Sequence, residues 1–264
     1  MSLISSAVFD QEGTGRTGLT ERYFNSLLKT VDFRRHRIVI IDNASCIETQ
    51  KVIMEFAKHM DDNYWGQFTL FHNKENVGTA KAVNQGLKLR EPGEHCLKID
   101  NDVEFGQTGW IEEMEDAIRR NPRIGILGLK RKDLGEAPFE EINEHYRTTL
   151  KMLPHVGGER WLVFEEVKHG IMGTCTMFNP LLLDAIGYLY QPTIYGWDDG
   201  LISTRSKLAG FVNGFLPHIN IDHIDPGNTF YQTWKEAHAG ETIGLAGKLD
   251  ADYRSGKRPI YEEG

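Results

Sequence analysis

Apolar residues along this chain fall into short β-branched runs, separated by stretches in which they recur every third or fourth position. Residues 3–9 and 37–42, the latter Arg-Ile-Val-Ile-Ile-Asp, are compact apolar runs that predict strands. Between them Leu19, Tyr23, Leu27, Leu28 and Val31 keep helical spacing, so the opening reads as strand, helix, strand. A second helix is expected from about Glu48 to His59, with Val52, Ile53, Phe56 and Ala57 on one face, and it leads into a strand at Phe68–Phe71. A third, roughly Thr79 to Leu89, precedes a strand at Cys96–Ile99; a helix at Trp110–Arg120 and a strand at Ile124–Leu129 continue the alternation. Strands alternating with helices predict an α/β fold, a mostly parallel, Rossmann-like sheet flanked by helices, in which ligands collect outside the carboxyl ends of the strands.

The alternation fails between Asp133 and Glu166, a polar, irregular stretch suited to loops or an inserted lobe. Apolar pattern returns at Ile171–Phe178, a helix is expected at Leu181–Ile186 and another near Gly200. From Asp225 the tail is polar with scattered aromatics, Phe230, Tyr231, Trp234, Tyr253 and Tyr261, and no repeat is visible. One large domain with appendages is expected.

Composition narrows this picture only modestly. At 264 residues with 40% hydrophobic and 26% charged residues the chain suits a globular domain with a substantial core. No apolar run approaches the roughly 18 residues needed to span a bilayer, and the apolar start, Met-Ser-Leu-Ile, lacks a basic leader, so it reads as a first strand. Cys46, Cys96 and Cys175 give neither a disulfide framework nor a zinc spacing, which fits a reducing, cytoplasmic setting. A net charge of −8 argues against a broad phosphate-binding surface, although Arg34-Arg35-His36-Arg37 and Lys130-Arg131-Lys132 leave local basic tracks open.

Two segments carry chemistry. Asp100-Asn101-Asp102 ends an apolar run, and in an extended segment its spacing aims both carboxylates to one face. Hard oxygen ligands of that kind suit Mg²⁺ or Mn²⁺, ions that also take substrate phosphates. The competing segment is Gly13-Thr-Gly15-Arg-Thr-Gly18, a literal dinucleotide fingerprint between a strand and a helix, which would imply an NAD-dependent oxidoreductase. Asp10, Gln11 and Glu12 intervene between strand and first glycine, and the carboxylates of Asp10 and Glu12 would repel a pyrophosphate.

The run Glu75-Asn76-Val77-Gly78-Thr79-Ala80-Lys81-Ala82-Val83-Asn84-Gln85-Gly86-Leu87 resembles the N-x-G-x-(A/G)-x-A-x-N-x-G-(L/I) signature of family 2 glycosyltransferases with the GT-A fold. Ile41-Asp42-Asn43-Ala44-Ser45 resembles that family's strand-end D-(N/D)-x-S, and Asp100-Asn101-Asp102 its metal-binding DxD. Gly173–Pro180 with Ala185-Ile186-Gly187 is similar to a further family segment, and Tyr195-Gly196-Trp197-Asp198-Asp199, with Arg205 and Leu208–Phe211, to the block that houses the catalytic base. His223 matches a downstream histidine that joins the metal and diphosphate site in several members. The resemblance covers approximately residues 3–225. Two departures stand out: Ala7-Val8-Phe9-Asp10 replaces the usual P-x-(Y/F)-N, and Asn179-Pro180 the usual basic pair.

The resemblance implies a GT-A catalytic domain at 1–225, with a nucleotide-sugar half at 1–130, an acceptor-side half and insertion at 131–225, and a C-terminal extension at 226–264. It implies metal-dependent, inverting transfer of a sugar from a nucleotide donor, expected to be a UDP-sugar, to an acceptor hydroxyl on a carbohydrate or lipid-linked glycan. A hydroxylated nucleic-acid base is the alternative acceptor, and a non-catalytic sugar-nucleotide binder the alternative class. Carried over residue by residue, Asp100, Asp102 and His223 would hold Mn²⁺ or Mg²⁺. Asp199 would be the base, with Asp198 as fallback and as a neighbour raising its proton affinity. Asp42, Asn76, Gly78, Lys81, Asn84, Asp100 and Arg205 would bind the donor, and Trp197 offers a ring for an acceptor sugar. Asp198-Asp199 equally suits the first turn of a helix.

Overall fold

The computed structural model describes residues 1–133, 148–154, 161–225, 227 and 229–264. Strands β1 (Ser2–Val8), β2 (Arg37–Asp42), β3 (Phe68–His72), β4 (His95–Ile99), β5 (Val103–Glu104), β6 (Ile124–Arg131), β7 (Thr148–Pro154), β8 (Trp161–Val167), β9 (Cys175–Phe178) and β10 (Val212–His223) form one sheet. The helices are α1 (Thr17–Thr30), α2 (Ile47–Asn63), α3 (Thr79–Leu87), α4 (Trp110–Arg120), α5 (Pro180–Ile186), α6 (Asp198–Leu208) and α7 (Thr229–Arg254).

Strand order is β3-β2-β1-β4-β9-β6-β10-β8-β7, with β5 pairing β10 off this path. The sheet is mixed: β3, β2, β1 and β4 run parallel, as do β6 and β10, but β9 enters antiparallel between β4 and β6. Period-two alternation explains why both faces are covered. Ile38 and Ile40 point into one core with α1, α2 and α4, through Phe24, Phe56 and Trp110, while Val39 and Ile41 point into the other with α3 and α5, through Val83 and Leu183.

The stretch expected to be irregular contains a described hairpin, β7 with β8, that extends the sheet beyond β10. Half of its strand residues are exposed, apolar Leu150, Met152, Trp161 and Val163 among them, and only Phe164 and Val167 are buried, so no clean alternation marked the strands. Residues 134–147 and 155–160, also in that stretch, lie outside the described residues. The tail read as polar with scattered aromatics is largely α7, which buries Thr242, Ala246 and Tyr253 and is tied to α6 by Thr204 Oγ1 donating to Asp250 (2.5 Å). No described helix is long and apolar enough to cross a membrane.

Candidate active site

A cleft of about 280 Å³ opens at the carboxyl ends of β1 and β4 and is closed on its far side by α7. Asp100, Asn101 and Asp102 line it, but from a turn between β4 and β5 rather than an extended strand. The two carboxylates therefore part company. Asp100 Oδ1 takes the Lys98 ammonium at 3.0 Å, whereas Asp102 Oδ2 takes Arg16 at 2.9 Å and lies 3.6 Å from His223 Nε2.

The first group gathers around Lys98, which is buried and also reaches Gly173 O (2.9 Å) and Asp198 (3.6 Å). Burial alone would lower its pKa, but the charges of Asp100, Asp198 and Asp199 outweigh that and keep it firmly protonated. Asp198 and Asp199 open α6, whose preceding residue Trp197 adopts a left-handed φ of 68°. Asp199 is half-buried, and its oxygens accept from the amides of Gly173 (3.1 Å) and Gly200 (2.7 Å). Burial first, then the adjacent Asp198 charge, push its carboxyl up to about 6, against the pull of Lys98 and the two amides. Asp100 is also raised by burial and by Asp102, although Lys98 opposes the shift.

The second group is Asp102, His223 and Asp225, whose potential ligand atoms all lie within 4.8 Å of one another. Antiparallel pairing of β5 with the end of β10 sets His223 opposite Val103, one residue from Asp102. Burial would raise Asp102, yet His223 and Arg16 hold its carboxyl well below the usual range. Asp102 Oδ1 is buried without any hydrogen-bond partner, a polar atom that lacks a counterpart. Two carboxylates, one of them with an unsatisfied oxygen, and one imidazole fit a divalent ion such as Mn²⁺ or Mg²⁺.

A family model for glycosyl transferase family 2 matches residues 18–187, more than half of the chain. The chain belongs to glycosyl transferase family 2. It carries a glycosyltransferase domain with the GT-A fold. Over 102 residues it is 26% identical to the poly-beta-1,6-N-acetyl-D-glucosamine synthase of Staphylococcus epidermidis, covering 39% of this chain and 23% of that protein. In structure it resembles mannosyltransferase PcManGT from Pyrobaculum calidifontis in complex with GDP-Man and Mn²⁺, at a TM-score of 0.65 and 18% identity, covering 88% of this chain and 59% of the other. It also resembles S. aureus TarS 1-349 in complex with UDP, at 0.57 and 16%, covering 84% and 59%, and GalNAc-T7 with UDP, GalNAc and Mn²⁺, at 0.59 and 16%, covering 84% and 44%. The chain thus spans less than two thirds of the length of each of these proteins. Membership of family 2 replaces the oxidoreductase reading, and the structure gives the reason. A Cβ placed on Gly13, Gly15 or Gly18 would meet nothing within 4 Å, so none of them packs closely against the rest of the chain, and the loop delivers Arg16 to the cleft.

Of the residues expected to serve this family 2 domain, Asn76, Asp100, Asp102, Asp198, Asp199 and His223 line the cleft, as does Trp197. Five others do not line it. Asp42 is buried, its oxygens taken by the Ser45 amide (2.8 Å) and by His72 Nδ1 (3.1 Å), the residue paired with it across β2 and β3. Asn84 is buried and makes a two-way pair with the backbone of Leu189, accepting at 3.1 Å and donating at 2.9 Å. Arg205 is fully buried and donates to the carbonyls of Ile186 (2.9 Å), Tyr188 (2.5 Å) and Ile260 (3.3 Å); burial lowers its pKa to about 10. Lys81 is exposed on α3. Gly78, at φ 90°, gives room to the Ile194 backbone: a Cβ there would lie 2.9 Å from its Cα.

Sequence reasoning missed Arg16, Asn43, Lys98, Tyr195, Tyr231, Trp234 and Asp225. Trp234 sits against Phe9 (5.5 Å), Tyr195 (5.3 Å) and Tyr231 (5.9 Å), an aromatic wall raised by the first turns of α7. The spacing of Tyr231, Trp234 and His238 at one helical face was the available signal. Most cations of the basic runs are paired with acids: Arg35 faces Glu112, Arg37 Glu94, Lys130 Glu165, Arg131 Asp133 and Lys132 Asp222.

Proposed function

We propose that this chain transfers a sugar from a nucleoside-diphosphate donor to an acceptor hydroxyl by single displacement with inversion. The observation that carries this reading is one cleft that brings together two separate chemistries: a carboxyl suited to proton removal at Asp199, and Asp102 and His223, which with the adjoining Asp225 form a donor set. A Mn²⁺ or Mg²⁺ ion held by that set would neutralise charge on a departing diphosphate. UDP-sugars are the first donors to test, since UDP is named with two of the structural relatives.

Asp199 takes the acceptor proton onto a carboxylate oxygen. Two backbone amides fix the orientation of that carboxylate, so little freedom is lost on aligning it with a hydroxyl. Its elevated proton affinity makes it a better base than an ordinary carboxylate while leaving it mostly ionised at neutral pH. Lys98 compensates the acids packed beside it and opposes the rise in Asp199. Trp197 and Tyr195, each an apolar ring in the cleft wall, suit an acceptor with sugar faces, a carbohydrate or lipid-linked glycan. The compensated basic runs weigh against a nucleic-acid acceptor.

Nucleotide release from a panel of UDP- and GDP-sugars, with Mn²⁺ and with chelator, is the test. Metal-dependent release that vanishes in Asp199→Asn while nucleotide binding persists supports the reading. Release that survives in Asp199→Asn removes Asp199 as base, and no release from any donor favours a sugar-nucleotide binder.

A further inference from the structure

Arg16 comes from the glycine-rich loop, to which the sugar-transfer reading gives no task. Its side chain is 3% exposed although it lines the cleft. Nη2 lies 2.9 Å from Asp102 Oδ2 and Nη1 lies 2.7 Å from Asp225 Oδ2, so one planar fork spans both carboxylates of the divalent-ion donor set. The guanidinium stacks 3.9 Å above the centroid of the Tyr231 ring on α7, and its Nε and Nη1 make no hydrogen bond, so Asp225 is held as an ion pair. Lys235 adds a second cation to Asp225 at 3.0 Å. The atoms that a metal needs are thus divided: Asp102 Oδ1 is open, while Asp225 Oδ2 already carries two positive groups.

We propose that Arg16 is a built-in competitor of the divalent cation: it holds the Asp102 and Asp225 carboxylates together in the ligand-free protein and releases Asp225 when a diphosphate offers it another anion. This rests on the reading of Asp102, His223 and Asp225 as the ion's ligands. A cation arriving alone gains less from carboxylates already neutralised in part, and it strands a buried guanidinium without a counter-charge. A diphosphate supplies that counter-charge in a geometry the fork can grip with two hydrogen bonds. Cation and donor therefore assist each other's binding through Arg16, and by linkage the assistance is reciprocal. A lone cation is discouraged from occupying the cleft, and the loop between β1 and α1 becomes a reporter of donor arrival.

The test is Mn²⁺ binding, followed by the electron paramagnetic resonance signal of the free ion, on the full chain with no sugar donor, with and without UDP. Without UDP, Arg16→Gln should bind Mn²⁺ about tenfold or more tightly than the wild type, and the gain in Mn²⁺ affinity caused by UDP should shrink correspondingly. Arg16→Lys, which keeps the charge but cannot span both carboxylates, should fall between the two, and it carries the test if Arg16→Gln does not fold. Equal or weaker Mn²⁺ binding in the Arg16 variants overturns the inference while leaving the ion site intact. Failure of every form, wild type included, to bind Mn²⁺ even with UDP overturns the ion site itself.

Discussion

At the scale of single residues, Lys98 decides how many negative charges the cleft tolerates. Its ammonium touches Asp100 and approaches Asp198, and its charge opposes the rise in Asp199. With Asp199 as the proposed base, wild-type nucleotide release should climb with pH through about 6 and then level off, since only its ionised form could accept a proton. Stability has the opposite sign: a carboxyl raised in the folded state binds its proton more tightly there, so its contribution is full below the ordinary carboxylate range and is lost as pH rises through about 6. Lys98→Met should move the activity limb to higher pH and, by stranding buried acids, cost about 3–5 kcal/mol in urea unfolding. A limb that stays put would separate Lys98 from Asp199. Asp100 and Asp102 were legible from their spacing, whereas Asp198, Asp199 and His223 were legible only through the family resemblance; all five line one cleft. Asp42 and Asn84 stand in equally suggestive motifs, but a motif does not reveal where hydrogen bonds go, and theirs go to Ser45, His72 and Leu189.

At the scale of elements, the parallel half of the sheet was the easiest part to read, because β1 to β4 and α1 to α4 each keep one clean period. β10 was not predicted as a strand: Pro217 and the register shift between Leu216 and Asn220 interrupt its alternation. α7 escaped because its face is built from aromatics and small polar residues rather than Leu or Ile. The turn into α3 shows how a local backbone choice reaches the cleft. Gly78 sits at φ 90° directly against Ile194, in the loop that carries Tyr195 and Trp197. Gly78→Ala should cost roughly 1–3 kcal/mol through strain at that φ and raise the donor KM through displacement of the loop, measured by thermal unfolding and initial rates. Unchanged KM with lowered stability would confine Gly78 to a folding role.

At the scale of the whole molecule, the end of the chain returns to the catalytic half. Tyr188 donates its amide to Glu262 O (2.8 Å), Glu262 donates to Ile186 O (3.0 Å), and Arg205 joins the Ile186, Tyr188 and Ile260 carbonyls from inside α6. That clasp is three-dimensional, so no spacing in the sequence announces it, and Arg205 reads as a donor ligand until its neighbours are known. Arg205→Met should lower unfolding free energy by about 3 kcal/mol, since buried carbonyls lose a charged donor, while nucleotide affinity per folded molecule stays at the wild-type value. A selective loss of nucleotide binding at unchanged stability would restore the ligand role.

The reversed strand β9 has a mechanical consequence. Hydrogen-bonded on both edges, by β4 and by β6, it belongs to the part of a sheet whose amides exchange with solvent only on deep unfolding. The Gly173 amide that steadies Asp199 hangs two residues before this strand, and the Thr174 carbonyl beside it receives the Asp100 amide. The opposite wall, loop 9–16 and the start of α7, has no such two-sided ladder. The proposed base is thus carried by the jaw of the cleft that rests on a strand held from both sides.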